Sequence, residues 1–143
     1  MHAERALFGG AKTSQTAGHD EASAPGLSIA TAYTLALVPQ SQVEFAQPPG
    51  KGSKPEGMHA GLAKIRLVSA GAFRVALDVP AWIDVIAAGR PVPSRAFEGR
   101  HGCSAPHKVV EFDLPAGDAL IQVSGASPDH VTLSVTPAPA PAT

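Results

Sequence analysis

The chain has 143 residues and a formal net charge of −1, with 44% hydrophobic and 16% charged residues. This length accommodates one domain with a single hydrophobic core, and the near-neutral charge argues against nucleic acid or an anionic membrane surface as a partner. Gly and Pro number 14 each, while aromatic residues make up only 5%. Such a composition favours short strands joined by turns over long helices.

The first 27 residues combine small and charged residues without helix or strand periodicity, and we expect residues 1–27 to be disordered. They lack the basic start and apolar run of a secretory signal. The apolar run 29–38 is too short to cross a membrane, so the sequence predicts no membrane span.

Short apolar runs bounded by Gly, Pro and Asp predict a β domain over residues 28–136. In AFRVALD, for example, Phe73, Val75 and Leu77 alternate with polar residues, as in a half-buried strand. The runs are YTLALV (33–38), QVEFA (42–46), LAKIRLV (62–68), AFRVALD (72–78), AWIDVIA (81–87), PVPSRAF (91–97), KVVEFDL (108–114), ALIQVS (119–124) and HVTLSV (130–135).

These runs give about eight short strands, and a sheet of that kind covers its apolar face most simply with a second sheet. We therefore predict an all-β fold, an antiparallel β-sandwich of jelly-roll or immunoglobulin-like type, with an up-and-down barrel as the alternative. The prolines of residues 91–97 indicate an edge strand, and residues 137–143 form a Pro-Ala-rich tail.

Three stretches carry a resemblance: AGAFRVALDVPAWIDVI (70–86), GRHGCSAPHKVVEFDLPAG (99–117) and LIQVSGA (120–126). They resemble a group of small proteobacterial exported β-proteins of unassigned role, which often carry the inherited label homogentisate dioxygenase. Their rhythm is also similar to that of the prepeptidase C-terminal type of β-sandwich. True homogentisate dioxygenases are much longer cupin enzymes that hold iron with two His and one carboxylate, a scaffold this chain lacks. The resemblance implies a sandwich fold in a periplasmic or secreted protein.

The loop GRHGCSAPHK (99–108) concentrates three side chains that bind copper or zinc, His101, Cys103 and His107. A fourth ligand would come from His59 in the long loop 47–61, or from His130. The spacing matches no structural zinc pattern, and the downstream Met of blue-copper proteins is missing. The alternative is a turn-rich connection with solvated histidines and a Cys that packs as a small apolar residue.

Other chemistry has less support in the sequence. Cys103 is the only cysteine, so it forms no internal disulfide, and no oxyanion-forming turn accompanies it as a nucleophile. Asp84 shares a strand face with Trp82, and a buried carboxylate there would need a partner such as Arg74, Arg95 or Lys108. Trp82 itself is either a core residue or a platform on which a sugar stacks.

The sequence as a whole favours a non-catalytic binding or accessory module of the cell envelope that presents loops 47–61 and 98–108 to an unknown protein or small ligand. It predicts neither an enzyme nor a resident cofactor. The alternative function is a copper- or zinc-binding protein that uses His101, Cys103 and His107, with His59 as a further ligand.

Overall fold

Two packed sheets build the fold in the computed structural model of the chain, which describes residues 12–47, 57–99 and 108–138, the stretch 95–99 by its backbone alone. The described residues form twelve strands and one short 3-10 helix: β1 (Thr13–Thr16), β2 (Gly26–Leu27), β3 (Ala32–Ala36), β4 (Val38–Pro39), the helix (Gln40–Gln42), β5 (His59–Leu67), β6 (Gly71–Leu77), β7 (Trp82–Ala87), β8 (Arg90–Val92), β9 (Ser94–Gly99), β10 (Lys108–Leu114), β11 (Gly117–Ala126) and β12 (His130–Pro137).

The strand order confirms the predicted sandwich. The first sheet runs β1-β3-β12-β6-β10-β9, and the second runs β2-β5-β11-β7-β8 with β4 beside β5. Neighbouring strands are antiparallel except in two N-terminal pairs, β1 with β3 and β2 with β5, which are parallel. The crossing from the second sheet to the first between β8 and β9 takes place at Pro93.

The core lies between the two sheets and follows the alternation read from the sequence. Val75 and Leu77 of β6 and Leu133 of β12 have no exposed surface, and they belong to one cluster with the inward side chains of β11. Burial of large aliphatic side chains contributes about 1.5–3 kcal/mol each, so this cluster is the main source of stability.

The described part of the N-terminal segment, from residue 12 on, contains two strands that the sequence did not predict. Strands β1 and β2 lie within residues 1–27, which we expected to be disordered. The sequence TSQT of β1 has no apolar alternation, and its place in the sheet comes from parallel backbone pairing in which Thr13 lies opposite Tyr33. Backbone pairing of this kind leaves no signal in side-chain hydrophobicity.

The predicted strand 42–46 is wrong, because residues 43–47 cross the outer face of the second sheet without forming a strand. Val43 packs there against an apolar group formed by Leu62, Ile86 and Leu120. The alternation in QVEFA therefore reflects one contact with a sheet surface and not a strand of its own.

Gln122 holds this segment in place. Its side chain lies on β11 with no exposed surface. The side-chain oxygen accepts hydrogen bonds from the backbone N–H groups of Ala46 at 2.9 Å and Gln47 at 3.3 Å, and the side-chain nitrogen donates to the Gln47 carbonyl at 3.0 Å. We call residues 43–47 the crossing segment.

The β7–β8 hairpin contains a strained residue. Both residues of its two-residue turn have positive φ, 53° at Ala88 and 74° at Gly89. Turns of this kind prefer Asn-Gly, because Asn tolerates the left-handed region better than Ala does.

We expect Ala88→Asn to raise the free energy of unfolding by about 0.5 kcal/mol, since it relieves strain without touching the core. Urea denaturation would measure the change as a higher midpoint with an unchanged slope. A midpoint equal to or below that of the wild type would contradict the interpretation of Ala88 as a strained turn residue.

Candidate functional site

The two long loops singled out from the sequence enter their following strands at the same end of the sandwich. His59 begins β5 and pairs with Ala126 at the end of β11, while Trp82 begins β7 and pairs with Ser124 beside it. On the first sheet, Lys108 begins β10, opposite Gly99 at the end of β9. Loop 47–61 therefore leads into β5 at one end of the fold. Loop 98–108 leaves β9 and enters β10 at the same end. We call this the loop end.

A direct contact joins the two sheets at the loop end. The Lys108 ammonium donates a hydrogen bond to the backbone carbonyl of Ala81, in the turn that precedes β7. Because Lys108 is both the last residue of loop 98–108 and the first residue of β10, this contact anchors the exit of the loop on the opposite sheet.

A pocket of about 630 Å³ opens at the side of the loop end. Strand β8 is short and pairs with only Val85–Ala87 of β7, so the first half of β7 is left without a neighbour on that side among the described residues. The main apolar side chains that line the gap are Trp82, Ile83, Val92, Pro93, Val110 and Phe112. We call this cavity the Trp82 pocket.

The floor of the Trp82 pocket belongs to the hydrophobic core. Ile83 and Val110 are each 5% exposed and Phe112 is 2% exposed, and all three are members of the core cluster. Because core side chains hold single rotamers at close packing, the floor of the pocket is rigid.

Trp82 is a wall of this pocket and not the core residue that was one expectation from the sequence. It is half-buried, and its indole Nε1 donates a hydrogen bond to the Asp84 carboxylate at 3.0 Å. The Lys108 Nζ lies 5.1 Å from the centre of the ring, in the range of a cation–π contact. The ring is therefore fixed by an acidic and a basic side chain.

Asp84 lies where the sequence placed it, on the same strand face as Trp82. Of the cations expected as its partner, Arg74 instead pairs with Glu111 on the first sheet at 3.1 Å. Lys108 lines the same pocket as Asp84, together with the hydroxyl-bearing Ser94. The pocket thus combines an apolar floor with a few polar groups at its wall.

The predicted metal site has no support in the part of the chain that the structure describes. His101, Cys103 and His107 lie outside the described residues. His59 uses its Nδ1–H to donate to the Ser127 carbonyl at 3.1 Å, and the described residues bring together no group of three or more His, Cys, Asp or Glu side chains that could hold a metal ion. Copper or zinc binding stays a prediction, which elemental analysis of protein purified without chelator would test.

His130, the other histidine considered as a ligand, forms an exposed pair at the loop end. Its Nδ1 lies 2.9 Å from Oδ1 of Asp129. The hydrogen bond from His130 lowers the pKa of Asp129, and the charges of His130 and His59 add to the effect. Asp129, His130 and His59 form no group that could hold a metal ion among the residues that the structure describes.

A second, smaller groove of about 280 Å³ lies on the outer face of the second sheet. The crossing segment forms one side through Gln47, and Lys64 and Asp118 contribute charged groups. No aromatic side chain is among the described residues that line this groove, and its volume falls below the range of about 300–1,000 Å³ typical of ligand sites. The Trp82 pocket is the better candidate.

No family model, curated protein or solved structure matches the chain. Across the described residues, no helix has the length and hydrophobicity that a membrane crossing requires.

Proposed function

We propose that this protein is a non-catalytic binding module that holds a small ligand in the Trp82 pocket and presents loops 47–61 and 98–108 to a ligand or partner. The observation that carries the proposal is the pocket itself. Its volume of about 630 Å³ lies in the range of ligand sites, about 300–1,000 Å³, which combine an apolar lining with a few placed polar groups.

The walls of the pocket support this function because they lose little freedom when a ligand binds. The Trp82 ring is already fixed by Asp84 and Lys108. The β8–β9 crossover adds to this rigidity, because Pro91 and Pro93 have no flexible side chain to order. Binding affinity is lowered by the entropy of ordering side chains, so a rigid pocket retains more of its contact energy.

A pocket-filling substitution tests the proposal. Ser94 lines the pocket but is exposed and lies outside the core cluster, so Ser94→Phe would occupy the cavity without disturbing packing. Trp82 is the only tryptophan, and its fluorescence therefore reports on the pocket alone. We expect at least one of three probe classes, neutral methyl glycosides, aromatic carboxylates or alkylamines, to change this fluorescence saturably in the wild type and not in Ser94→Phe.

The matched control is Val68→Ser. Val68 is 98% exposed and follows β5 at the end of the sandwich remote from the loop end, where Leu67 pairs with Gly117. It should bind every probe as the wild type does. The proposal would be overturned if no probe class gave a saturable change, or if Ser94→Phe responded like the control.

We further propose that the protein acts in the cell envelope, as its resemblance to exported β-proteins implies. Fractionation of cells that express the native chain should release it by osmotic shock together with periplasmic markers. Retention of the intact chain with cytosolic markers would contradict this location.

A further inference from the structure

The chemical character of the Trp82 pocket narrows the class of ligand. We propose that the pocket binds a neutral saccharide, with the face of a pyranose ring against Trp82 and its hydroxyl groups toward Asp84, Lys108 and Ser94. This inference rests on the proposed binding function, and it names the ligand class for the same site.

The charges of the pocket wall favour a neutral ligand. Among the described side chains that line the pocket, Asp84 is the one acidic group and Lys108 the one basic group. A charged ligand would be attracted by one and repelled by the other, whereas a polyol can donate to the carboxylate and accept from the ammonium. The pair therefore favours a ligand that carries both donors and acceptors but no net charge.

The shape of the pocket wall suits a pyranose ring. A pyranose ring has C–H groups on its faces and hydroxyl groups at its rim, so it needs a flat apolar wall with polar groups beside it. The indole of Trp82 supplies that wall, and Asp84 Oδ1 lies 3.0 Å from Nε1 at its edge. Aromatic rings with one apolar face and one polar edge are suited to such amphipathic ligands. The volume of about 630 Å³ leaves room for one or two sugar rings.

A peptide strand fits the site less well. Strand addition needs a run of backbone N–H and C=O groups along the exposed edge. The edge of β7 that β8 leaves open spans only Trp82–Asp84, and Pro91 and Pro93 beside it have no N–H group. The same prolines offer flat apolar surface to a ring.

The experiment compares three probes of the same size that differ in charge: methyl β-glucoside, glucuronate and glucosamine, with methyl galactoside, methyl mannoside, maltose and cellobiose as further neutral sugars. Binding to the full chain is measured by Trp82 fluorescence and by calorimetry. We expect at least one neutral sugar to bind saturably, with affinity at least several-fold higher than that of glucuronate and of glucosamine.

Asp84→Asn tests the role of charge, because it removes the acidic group from the described lining and keeps Lys108. We expect the preference for glucuronate over methyl glucoside to rise about tenfold, which corresponds to about 1.4 kcal/mol. The matched control is Asp113→Asn on β10, an exposed carboxylate that does not line the pocket, and it should keep the wild-type preference. If the role of Asp84 is purely structural, Asp84→Asn lowers the affinity for all three probes equally and leaves the ratio of their affinities unchanged, which would contradict the charge preference.

The outcomes separate this inference from the proposed function. If aromatic carboxylates or alkylamines bind in the pocket and no neutral sugar does, the saccharide assignment is overturned and the binding function stands. The assignment is also overturned if the wild type binds glucuronate or glucosamine more tightly than it binds every neutral sugar. If none of the probes binds, both proposals fail.

Discussion

Replacement of Gln122 by Leu is expected to lower the free energy of unfolding by about 2–3 kcal/mol. The buried side-chain amide makes three hydrogen bonds to the backbone of Ala46 and Gln47, and Leu leaves those backbone groups without their partner. The crossing segment then loses its attachment to the sheet and uncovers the apolar group at Leu62 and Leu120.

Urea denaturation measures the loss, and limited proteolysis locates it, because a detached crossing segment is cleaved near residue 46 before global unfolding. Gln42→Leu, in the exposed part of the 3-10 helix, is the control and should change stability by less than about 0.5 kcal/mol. Equal stabilities of Gln122→Leu and the wild type, with no new cleavage site, would show that the crossing segment is held by other contacts.

Gly61→Ala is expected to destabilise the fold by about 2–3 kcal/mol, because its new methyl group has no space. A Cβ atom at Gly61 would lie 2.3 Å from the Cβ of Ala17 and 3.1 Å from Cδ2 of Leu37. Ala17 cannot retreat easily, since its N–H donates to the Ala36 carbonyl at 2.8 Å and the adjacent Gly18 exchanges hydrogen bonds with Leu62.

The double variant Ala17→Gly, Gly61→Ala provides the decisive comparison. It removes the methyl group that collides, so it should recover most of the stability lost in Gly61→Ala. Thermal denaturation of the wild type, the two single variants and the double variant gives the interaction energy between the two positions. If the two substitutions were simply additive, the close approach between β5 and the N-terminal segment would be contradicted.

The sequence was most informative where side chains alternate on a strand that faces the core. Phe73, Val75 and Leu77 point inward as predicted, because burial of apolar area decides the orientation of such a strand. The prolines of residues 91–97 correctly indicated an edge, although the segment is divided into β8 and β9.

The sequence was least informative where backbone groups or distant contacts decide the structure. Strand β1 has polar side chains and is placed by backbone pairing alone. Gln122 lies in the apolar run ALIQVS, yet its role depends on residues 75 and 76 positions away in the chain. No local pattern carries information about partners at that separation.

The candidate site was predictable in part. The shared face of Trp82 and Asp84 follows from their spacing of two residues on a strand, and the structure joins them by a hydrogen bond. The sequence indicates Lys108 only as a charge partner of Asp84. Its contact with Ala81 joins residues of different sheets, and the sequence pattern does not show which strands of the two sheets lie together. A short edge strand rich in proline next to a lone Trp is the signal that would have indicated the pocket.

Lys108 has a consequence for the cooperation of the two candidate binding elements. It is the last residue of loop 98–108, and its ammonium donates a hydrogen bond to Ala81 and lies 5.1 Å from the centre of the Trp82 ring. Anything that the loop binds, if it displaces this ammonium, also alters the affinity of the pocket. Thermodynamic linkage then requires a pocket ligand to change the affinity of the loop by the same factor. If the proposed function holds, Lys108 couples the loop to the pocket, and the emission of the single tryptophan reports on both.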